Sequence, residues 1–246
     1  MIQPPQSPQD RTQDPKQPDA TGPKKRQHPV IAIDGPAGAG KSTLAAHLAR
    51  RFGFLNLETG AMYRALALKA IENDYAFDEE APLMDLASRT RITLQPQIEG
   101  NRVLLDAIDV SRRIREADVT SAASKISIHP HLRAWMVQQQ RALGEAGGVV
   151  MEGRDIGTKV FPAADVKIFL DADPVVREQR RLQQQNVQGA AAHAIAAELR
   201  ERDRRDRTRP TSPLVPASDA LLLDSTQLSE DEVLRRVEEV VQSKLK

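Results

Sequence analysis

The sequence contains no cysteine and very few aromatic residues. Phenylalanine, tryptophan and tyrosine together make up 3% of its 246 residues. Without cysteine the chain forms neither disulfide bonds nor thiolate metal sites, a composition compatible with a reducing compartment, and we expect a cytoplasmic protein. The scarcity of aromatic side chains argues against a single-strand nucleic-acid binder, because such proteins stack bases on aromatic rings.

The chain also lacks a strong excess of charge and any long apolar run. Its formal net charge is +1, so no overall electric field selects a polyanion. No stretch approaches the ~18 consecutive apolar residues of a membrane-spanning helix. We therefore expect a protein that binds neither nucleic acid nor membranes. Its expected partners are small molecules, and a monomer is expected.

Residues 1–28 differ in composition from the rest of the chain. They are rich in proline and glutamine and have almost no large apolar side chains. Such a segment cannot bury enough surface to offset the entropy lost on ordering, so we predict a disordered tail and one folded domain at 29–246. The basic triplet at 24–26 leaves a second interpretation open, a tail that docks on a partner.

Short apolar runs alternate with helix-like stretches along the folded part. Most runs are continuously apolar, as expected of strands that are buried on both faces of a parallel sheet. Strands alternating with helices predict right-handed crossovers and a doubly wound α/β fold with a five-stranded parallel sheet. The predicted strands are 30–34, 54–58, 148–152, 166–171 and 220–224.

Two predicted helices carry recognisable end signals. The stretch 41–53 ends at Gly53, a residue suited to a helix C-cap. The stretch 229–245 begins with Ser229, and Glu232 follows at the spacing of a capping box. Both signals support helices that flank the predicted sheet.

One region between the second and third predicted core strands breaks this alternation. Residues 91–115 contain three short strand-like pieces, with 99–101 as a turn. This spacing predicts a small antiparallel insertion. On the residues alone, an insertion without a chemical role is as compatible with the pattern as one that helps to bind a substrate.

A glycine-rich loop directly follows the first predicted strand. The pattern Gly35-x-x-x-x-Gly40-Lys41-Ser42 is a complete P-loop, and it lies between a strand and a helix. Glycine lets backbone N–H groups approach a phosphate closely, and the helix N-terminus adds partial positive charge. Lys41 adds a full charge, and the Ser42 hydroxyl can bind the Mg²⁺ of a bound nucleotide. The loop therefore predicts a nucleoside triphosphate site.

A P-loop alone does not separate a GTPase, a mechanical ATPase and a small-molecule kinase. The guanine-specifying pattern Asn-Lys-x-Asp is absent, which disfavours a GTPase. A carboxylate that acts on Mg²⁺ through a bound water is expected at the end of another core strand. Glu152 has that place, with Asp34 as a weaker candidate, although an ordinary acidic strand end explains Glu152 equally well.

Arginines are dense between residues 177 and 209. A charge run such as 200–209 is usually a solvated helix face. Here the cations are arginines, whose planar guanidinium suits phosphate, and the run stops at the helix-breaking segment 210–213. We therefore predict a helix that starts near Ala190 and forms part of a closing lid over an anionic acceptor.

Five stretches share their order with a known family: IDGPAGAGKST, ETGAMYRALAL, MEGRDIGTKVFPAADVKIFLDA, ERDRRDRTR and PLVPASDALLLDST. Together they resemble the bacterial cytidylate kinases, which are nucleoside monophosphate kinases, from about Val30 to the C-terminus. The resemblance implies transfer of the ATP γ-phosphate to CMP or dCMP. It also implies a core at about 29–62, 146–178 and 212–246, a CMP-binding domain at about 63–145 that includes the insertion, and a lid at about 179–211.

The resemblance further implies where ATP and its metal bind. Mg²⁺ is the implied cofactor, with Ser42 as a ligand and Glu152 acting through a bound water. The implied ATP-binding residues are Gly35, Pro36, Ala37, Gly38, Ala39, Gly40, Lys41, Ser42 and Thr43. The implied catalytic residues are Lys41, Arg154, Arg202 and Arg209.

For CMP, the resemblance implies that Arg64, Arg154 and Arg209 hold the acceptor phosphate. It places Arg202 and Asp206 near the sugar. The acceptor phosphate is already anionic, so no general base is expected, and catalysis should come from alignment and positive charge.

For the cytosine edge, the resemblance implies contacts from Ser124, Arg133 and Asp155. Thr59 is a further implied CMP-binding residue, and the preceding Glu58 departs from the aspartate that is more usual in the family. Two other functions remain open. One is a small-molecule P-loop kinase with another acceptor, of the UMP or shikimate type, and the other is a non-catalytic ATP-binding interaction protein.

Overall fold

A computed structural model describes residues 28–97, 100–185, 187 and 189–245. Apart from His28, the predicted tail lies outside the described residues. The strands are β1 (Val30–Asp34), β2 (Leu55–Glu58), β3 (Ile92–Gln97), β4 (Gly100–Leu105), β5 (Ile108–Asp109), β6 (Val149–Gly153), β7 (Val166–Asp171) and β8 (Leu221–Asp224). The α-helices are α1 (Lys41–Phe52), α2 (Thr59–Glu72), α3 (Glu80–Ser88), α4 (Ala117–Ile126), α5 (Pro130–Leu143), α6 (Pro174–Gln185), α7 (Ala190–Thr208) and α8 (Glu230–Lys244).

The main sheet is parallel and has the order β2-β6-β1-β7-β8. Its members are the five predicted strands. β2 and β8 each start one residue later than predicted, and β6 is shifted by one residue at both ends. Because every strand runs the same way, the carboxyl ends of β1, β2, β6 and β7 lie along one edge of the sheet. In sheets of this kind, ligands bind at that edge.

The central strand β1 shows why the apolar runs are continuous. All of its residues are buried, and neighbours in the strand face opposite sides of the sheet. Ile31 and Ile33 pack in a core with α1 and α8, whereas Val30 and Ala32 belong to a core that includes α2 and α5. Helices therefore cover both faces, which confirms the predicted doubly wound α/β fold.

The insertion predicted at 91–115 contains a second, antiparallel sheet of order β3-β4-β5, which confirms the three strand-like pieces. The predicted turn at 99–101 is wrong for Gly100 and Asn101, because both belong to β4 and pair with β3. The Asn101 amide accounts for the difference, since it accepts from the Glu58 N–H at 2.9 Å and donates to the Asn56 carbonyl at 2.7 Å. A residue with turn propensity therefore joins β4 to β2 instead.

The helix ends follow the predicted signals. Gly53 has φ 70° and caps α1, and its N–H donates to the Ala49 carbonyl. Ser229 and Glu232 form the reciprocal bonds of a capping box at the start of α8. Among the described residues, the structure contains no helix with the length and apolar character needed to span a membrane.

Candidate active site

The phosphate loop lies between the end of β1 and the start of α1. Gly35 has φ 147°, and a Cβ on this residue would lie 1.9 Å from the carbonyl oxygen of Leu170. Gly38 has φ 78°, and a Cβ there would lie 2.9 Å from the carbonyl oxygen of Arg177. Both positions therefore require glycine. Ser42 is exposed in the first turn of α1, so the helix N-terminus is open to an anion.

Lys41 and Glu152 are buried ionisable groups that influence each other's pKa. Lys41 donates from Nζ to the carbonyl oxygen of Pro36 at 2.6 Å. Burial lowers the pKa of Lys41, and Arg154 lowers it further. Burial raises the pKa of Glu152, while Lys41 opposes that rise. The Ser42 hydroxyl donates to Glu152 Oε2 at 3.0 Å, so the two residues predicted near the metal do meet.

Asp34 supports the segment that follows β6. One carboxylate oxygen accepts from the N–H of Ile156 at 2.8 Å, and the other accepts from the N–H of Gly157 at 2.7 Å. Burial raises the pKa of Asp34 to about 6 despite these bonds. These contacts fix the π-helical turn Ile156–Val160, which directly follows Asp155.

Asp206 is the centre of the arginine cluster. It accepts from Arg154 Nε at 2.9 Å and from Arg209 Nη1 at 3.3 Å. Burial would raise the pKa of Asp206, but Arg154, Arg202 and Arg209 outweigh burial and lower it. The Arg202 guanidinium has no hydrogen-bond partner among the described residues, and burial lowers its pKa to about 10, helped by Arg154. One carboxylate thus faces several cations, which leaves excess positive charge for an anion.

Arg64 approaches the same region from the first turns of α2. Its guanidinium forms a close ion pair with Glu58 at the end of β2. Burial would raise the pKa of Glu58, but Arg64 lowers it. Arg64 is near enough to Arg202 to contribute to the lowered pKa of that residue. Thr59 donates to the carbonyl oxygen of Glu152 at 2.7 Å, which joins the start of α2 to β6.

The residues predicted for the cytosine edge lie beside this cluster. Arg133 is 2% exposed, and its Nη2 donates to Asp155 Oδ2 at 2.5 Å. The guanidinium also lies 5.6 Å from the centre of the Tyr63 ring. Asp155 Oδ1 accepts no hydrogen bond from any described residue. Arg133 Nε and Tyr63 Oη are buried and likewise lack a hydrogen-bond partner among the described residues.

Several residues of the site had not been singled out individually from the sequence. Arg205 of α7 donates to the Ser124 hydroxyl at 2.6 Å. Arg177 of α6 donates to the carbonyl oxygen of Ala37 at 3.2 Å and forms a close ion pair with Asp203. Helical spacing gives a signal for Arg205, because it lies three residues after Arg202 and four before Arg209 on the same helix face. No comparable sequence signal identifies the contact of Arg177 with the loop.

The described residues hold no group of three or more histidine, aspartate or glutamate side chains that could bind a metal ion by themselves. Magnesium usually keeps several waters and binds through one or two protein groups plus substrate phosphates. The pair Ser42 and Glu152 supplies hard oxygen donors of this kind next to the phosphate loop. The residues present therefore fit a magnesium ion that arrives with a nucleotide.

The comparisons of the sequence with a family model and with curated proteins point to one family. The sequence model described as cytidylate kinase matches residues 31–243. The cytidylate kinase of Aeromonas hydrophila subsp. hydrophila is 48% identical over 208 residues, which cover 84% of this chain and 90% of the relative. That of Pelotomaculum thermopropionicum is 47% identical over 212 residues, with 85% and 94% covered. That of Solibacter usitatus is 47% identical over 225 residues, with 90% and 95% covered.

Proposed function

Because the chain belongs to the cytidylate kinase family, we propose that it transfers the γ-phosphate of ATP to CMP or dCMP. The products are ADP and CDP or dCDP. One observation carries the proposal: the phosphate loop lies next to a buried arginine cluster that has more cations than carboxylates. A phosphate donor site next to an anion-holding acceptor site is the arrangement that phosphoryl transfer requires.

At the donor end, the loop N–H groups and the N-terminus of α1 bind the β- and γ-phosphates of ATP. The lowered pKa of Lys41 reflects burial among cations, and the charge of the phosphates favours its protonated form. Ser42 would hold Mg²⁺ directly, and Glu152 would act on it through a bound water. When bound, the ion neutralises charge on the transferred phosphoryl group.

At the acceptor end, Arg64, Arg154 and Arg209 hold the CMP phosphate, and Arg202 and Asp206 lie near the sugar. An oxygen of the CMP phosphate attacks the γ-phosphorus, and the bond from that phosphorus to the β-γ bridging oxygen breaks. The attacking oxygen carries no proton, so the chain supplies alignment and positive charge rather than a general base.

At the base end, Asp155 identifies cytosine. Its Oδ1 is free to accept from the exocyclic amino group, whereas Oδ2 is held by Arg133. A carboxylate repels the carbonyl that uracil carries at the same position. Arg133 donates to the ring carbonyl of cytosine, and Thr59 at the start of α2 is a further CMP-binding residue of the proposal.

The division into a core, a CMP-binding domain at about 63–145 and a lid at about 179–211 is part of the same proposal. The antiparallel sheet and α4 and α5, which supply Ser124 and Arg133, lie within the first segment. The helices α6 and α7 lie in the second, between β7 and β8. A monomeric state and a cytoplasmic location stay predictions.

The test is a coupled assay of ADP release with CMP, dCMP, UMP, AMP and shikimate as acceptors. We expect CMP and dCMP to give kcat/KM values at least about 10-fold above those of the other acceptors. The Lys41→Met variant serves as the inactive control. Faster turnover of UMP than of CMP would contradict the proposal, and no turnover with any acceptor would favour a non-catalytic ATP-binding protein.

A further inference from the structure

A contact between α7 and α4 links the arginine-rich helix to the predicted base pocket. Arg205 Nη1 donates to Ser124 Oγ at 2.6 Å, and Arg205 Nε also donates to Glu201 Oε1 at 3.0 Å. Ser124 is 5% exposed. Arg205 itself keeps only 19% of its side chain exposed. The contact is therefore a partly buried, charge-assisted hydrogen bond, one of the stronger kinds in proteins.

The bond decides how the Ser124 hydroxyl can act. A guanidinium group donates hydrogen bonds and accepts none, so Ser124 Oγ must be the acceptor in this contact. The hydroxyl hydrogen then points elsewhere, and no described residue accepts it. The nearby Ser127 hydroxyl bonds to the backbone carbonyl of Ser124 at 2.9 Å and leaves the side chain free. Ser124 therefore presents an O–H group that is available to a ligand.

The charge of Arg205 makes the Ser124 hydroxyl a stronger hydrogen-bond donor. A cation that donates into a hydroxyl oxygen makes the O–H a better donor and the oxygen a poorer acceptor. Cytosine and uracil differ at ring nitrogen N3, which is an acceptor in cytosine and an N–H donor in uracil. A hydroxyl that is held as a donor forms a hydrogen bond with N3 of cytosine, but it meets another donor at the N3–H of uracil.

We propose that Arg205 is a specificity-determining positioning residue, which orients the Ser124 hydroxyl as a donor toward N3 of the pyrimidine and so favours cytosine over uracil. This inference rests on the proposed transfer to CMP. Arg205 acts through Ser124, and it adds to the discrimination that Asp155 provides at the exocyclic group.

The neighbouring Arg204 offers a matched control. Its Nε and Nη2 bond to the Glu201 carboxylate at 2.8 and 2.7 Å, so it shares that partner with Arg205. It lies on the same helix but keeps 63% of its side chain exposed. Its side chain makes no hydrogen bond to Ser124. A variant at this position reports the cost of losing an arginine from α7 without loss of the hydroxyl contact.

The experiment measures kcat/KM for CMP and for UMP in Arg205→Met, Arg204→Met, Ser124→Ala and the double variant Arg205→Met/Ser124→Ala. We expect Arg205→Met to lower the CMP-to-UMP ratio by about 10-fold. Arg204→Met should leave the ratio within about twofold of the wild type. In the Ser124→Ala background, Arg205→Met should not lower the ratio further, because the group through which it acts is absent.

Arg205→Lys provides the conservative rescue, because lysine keeps both the charge and a donor, and it should retain most of the selectivity. If Arg205→Met does not fold, Arg205→Gln replaces it, and its ratio should fall below that of Arg205→Lys. Equal losses for CMP and UMP would overturn the inference and leave Arg205 a structural residue. A wild type without CMP turnover would instead refute the proposed function, so the two failures are distinguishable.

Discussion

At the scale of single residues, the site consists of charges that are buried before any ligand arrives. Lys41 is 6% exposed and Asp206 is 4% exposed, yet both are ionisable groups at the heart of the chain. Burying a charge is costly unless opposite charges compensate it. Asp206 compensates part of the arginine charge, and in the proposed reaction the remainder holds substrate phosphates. The chain thus keeps its cations in place in advance, which is what electrostatic catalysis needs.

The pH dependence of the reaction should follow the protonation state of the Lys41 amine. Its pKa is lowered to about 7, mainly by burial, so the charged form is lost as the pH rises through that value. We expect kcat/KM for ATP to fall above about pH 7, whereas an ordinary lysine would hold its charge beyond pH 9. The profile of kcat should be flatter, because bound phosphates favour the protonated amine.

A variant at Glu152 tests whether deprotonation of Lys41 causes the fall of kcat/KM at high pH. The Glu152 carboxylate raises the pKa of Lys41, so Glu152→Gln should move the descending limb of kcat/KM to lower pH. The measurement is a series of initial rates with ATP varied and CMP saturating. Lys41 does not control the pH dependence if the descending limb of kcat/KM stays at the same pH in Glu152→Gln. A wild-type profile of kcat/KM that is flat to pH 9 would show the same.

At the scale of elements, the Asn101 side chain is one of the links between the small sheet and the main sheet. Asn101 is 5% exposed and bonds to two backbone groups of β2. Removal of such a side chain leaves a buried N–H and a buried C=O without partners, each at a cost of about 1–3 kcal/mol. The same strand ends at Glu58, the partner of Arg64, so the bond also bears on the acceptor site.

Asn101→Ala should therefore lower the free energy of unfolding by about 2 kcal/mol. Gln95→Ala is the matched control, because Gln95 is an exposed residue of the same sheet and should change the free energy by less than about 0.5 kcal/mol. Urea denaturation followed by circular dichroism measures both. Equal stability of the two variants would mean that the Asn101 bonds do not hold the small sheet to β2.

Comparison of elements shows what the sequence could and could not predict. The continuous apolar runs identified the strands of the main sheet, because a strand that is buried on both faces has apolar residues at successive positions. The P-loop was recognisable because its glycines have no steric substitute. Asn101 was mistaken for a turn residue, and the roles of Arg177 and Arg205 were missed, because their partners lie far away in sequence. Propensity and spacing carry no information about such long-range side-chain contacts.

At the scale of the whole molecule, one arginine joins the ATP end to the arginine-rich helix. Arg177 is 3% exposed, bonds to the loop at Ala37 and pairs with Asp203 of α7. The same helix carries Arg202, Arg205 and Asp206. We therefore expect a non-hydrolysable ATP analogue to change the affinity for CMP, and CMP to change the affinity for the analogue by the same factor.

Asp203→Asn tests this coupling without removal of any proposed nucleotide contact. The factor by which the ATP analogue and CMP change each other's affinity should fall by about 3-fold or more. Titration calorimetry measures it, with each ligand titrated in the absence and in the presence of the other. Asp231→Asn, an exposed residue of α8, is the control and should keep the wild-type factor. An unchanged factor in Asp203→Asn would show that the ion pair with Arg177 does not carry the coupling.

The central place of β1 has a consequence for how the molecule opens. Its backbone pairs with β6 on one side and β7 on the other, and every residue from Val30 to Asp34 is buried. Amide hydrogens in such a strand exchange with solvent only when the entire fold comes apart. The phosphate loop is therefore attached to the last part of the protein to open, while the arginines of α7 lie on a helix outside the sheet. Local fluctuations can release the acceptor end and leave the donor loop intact.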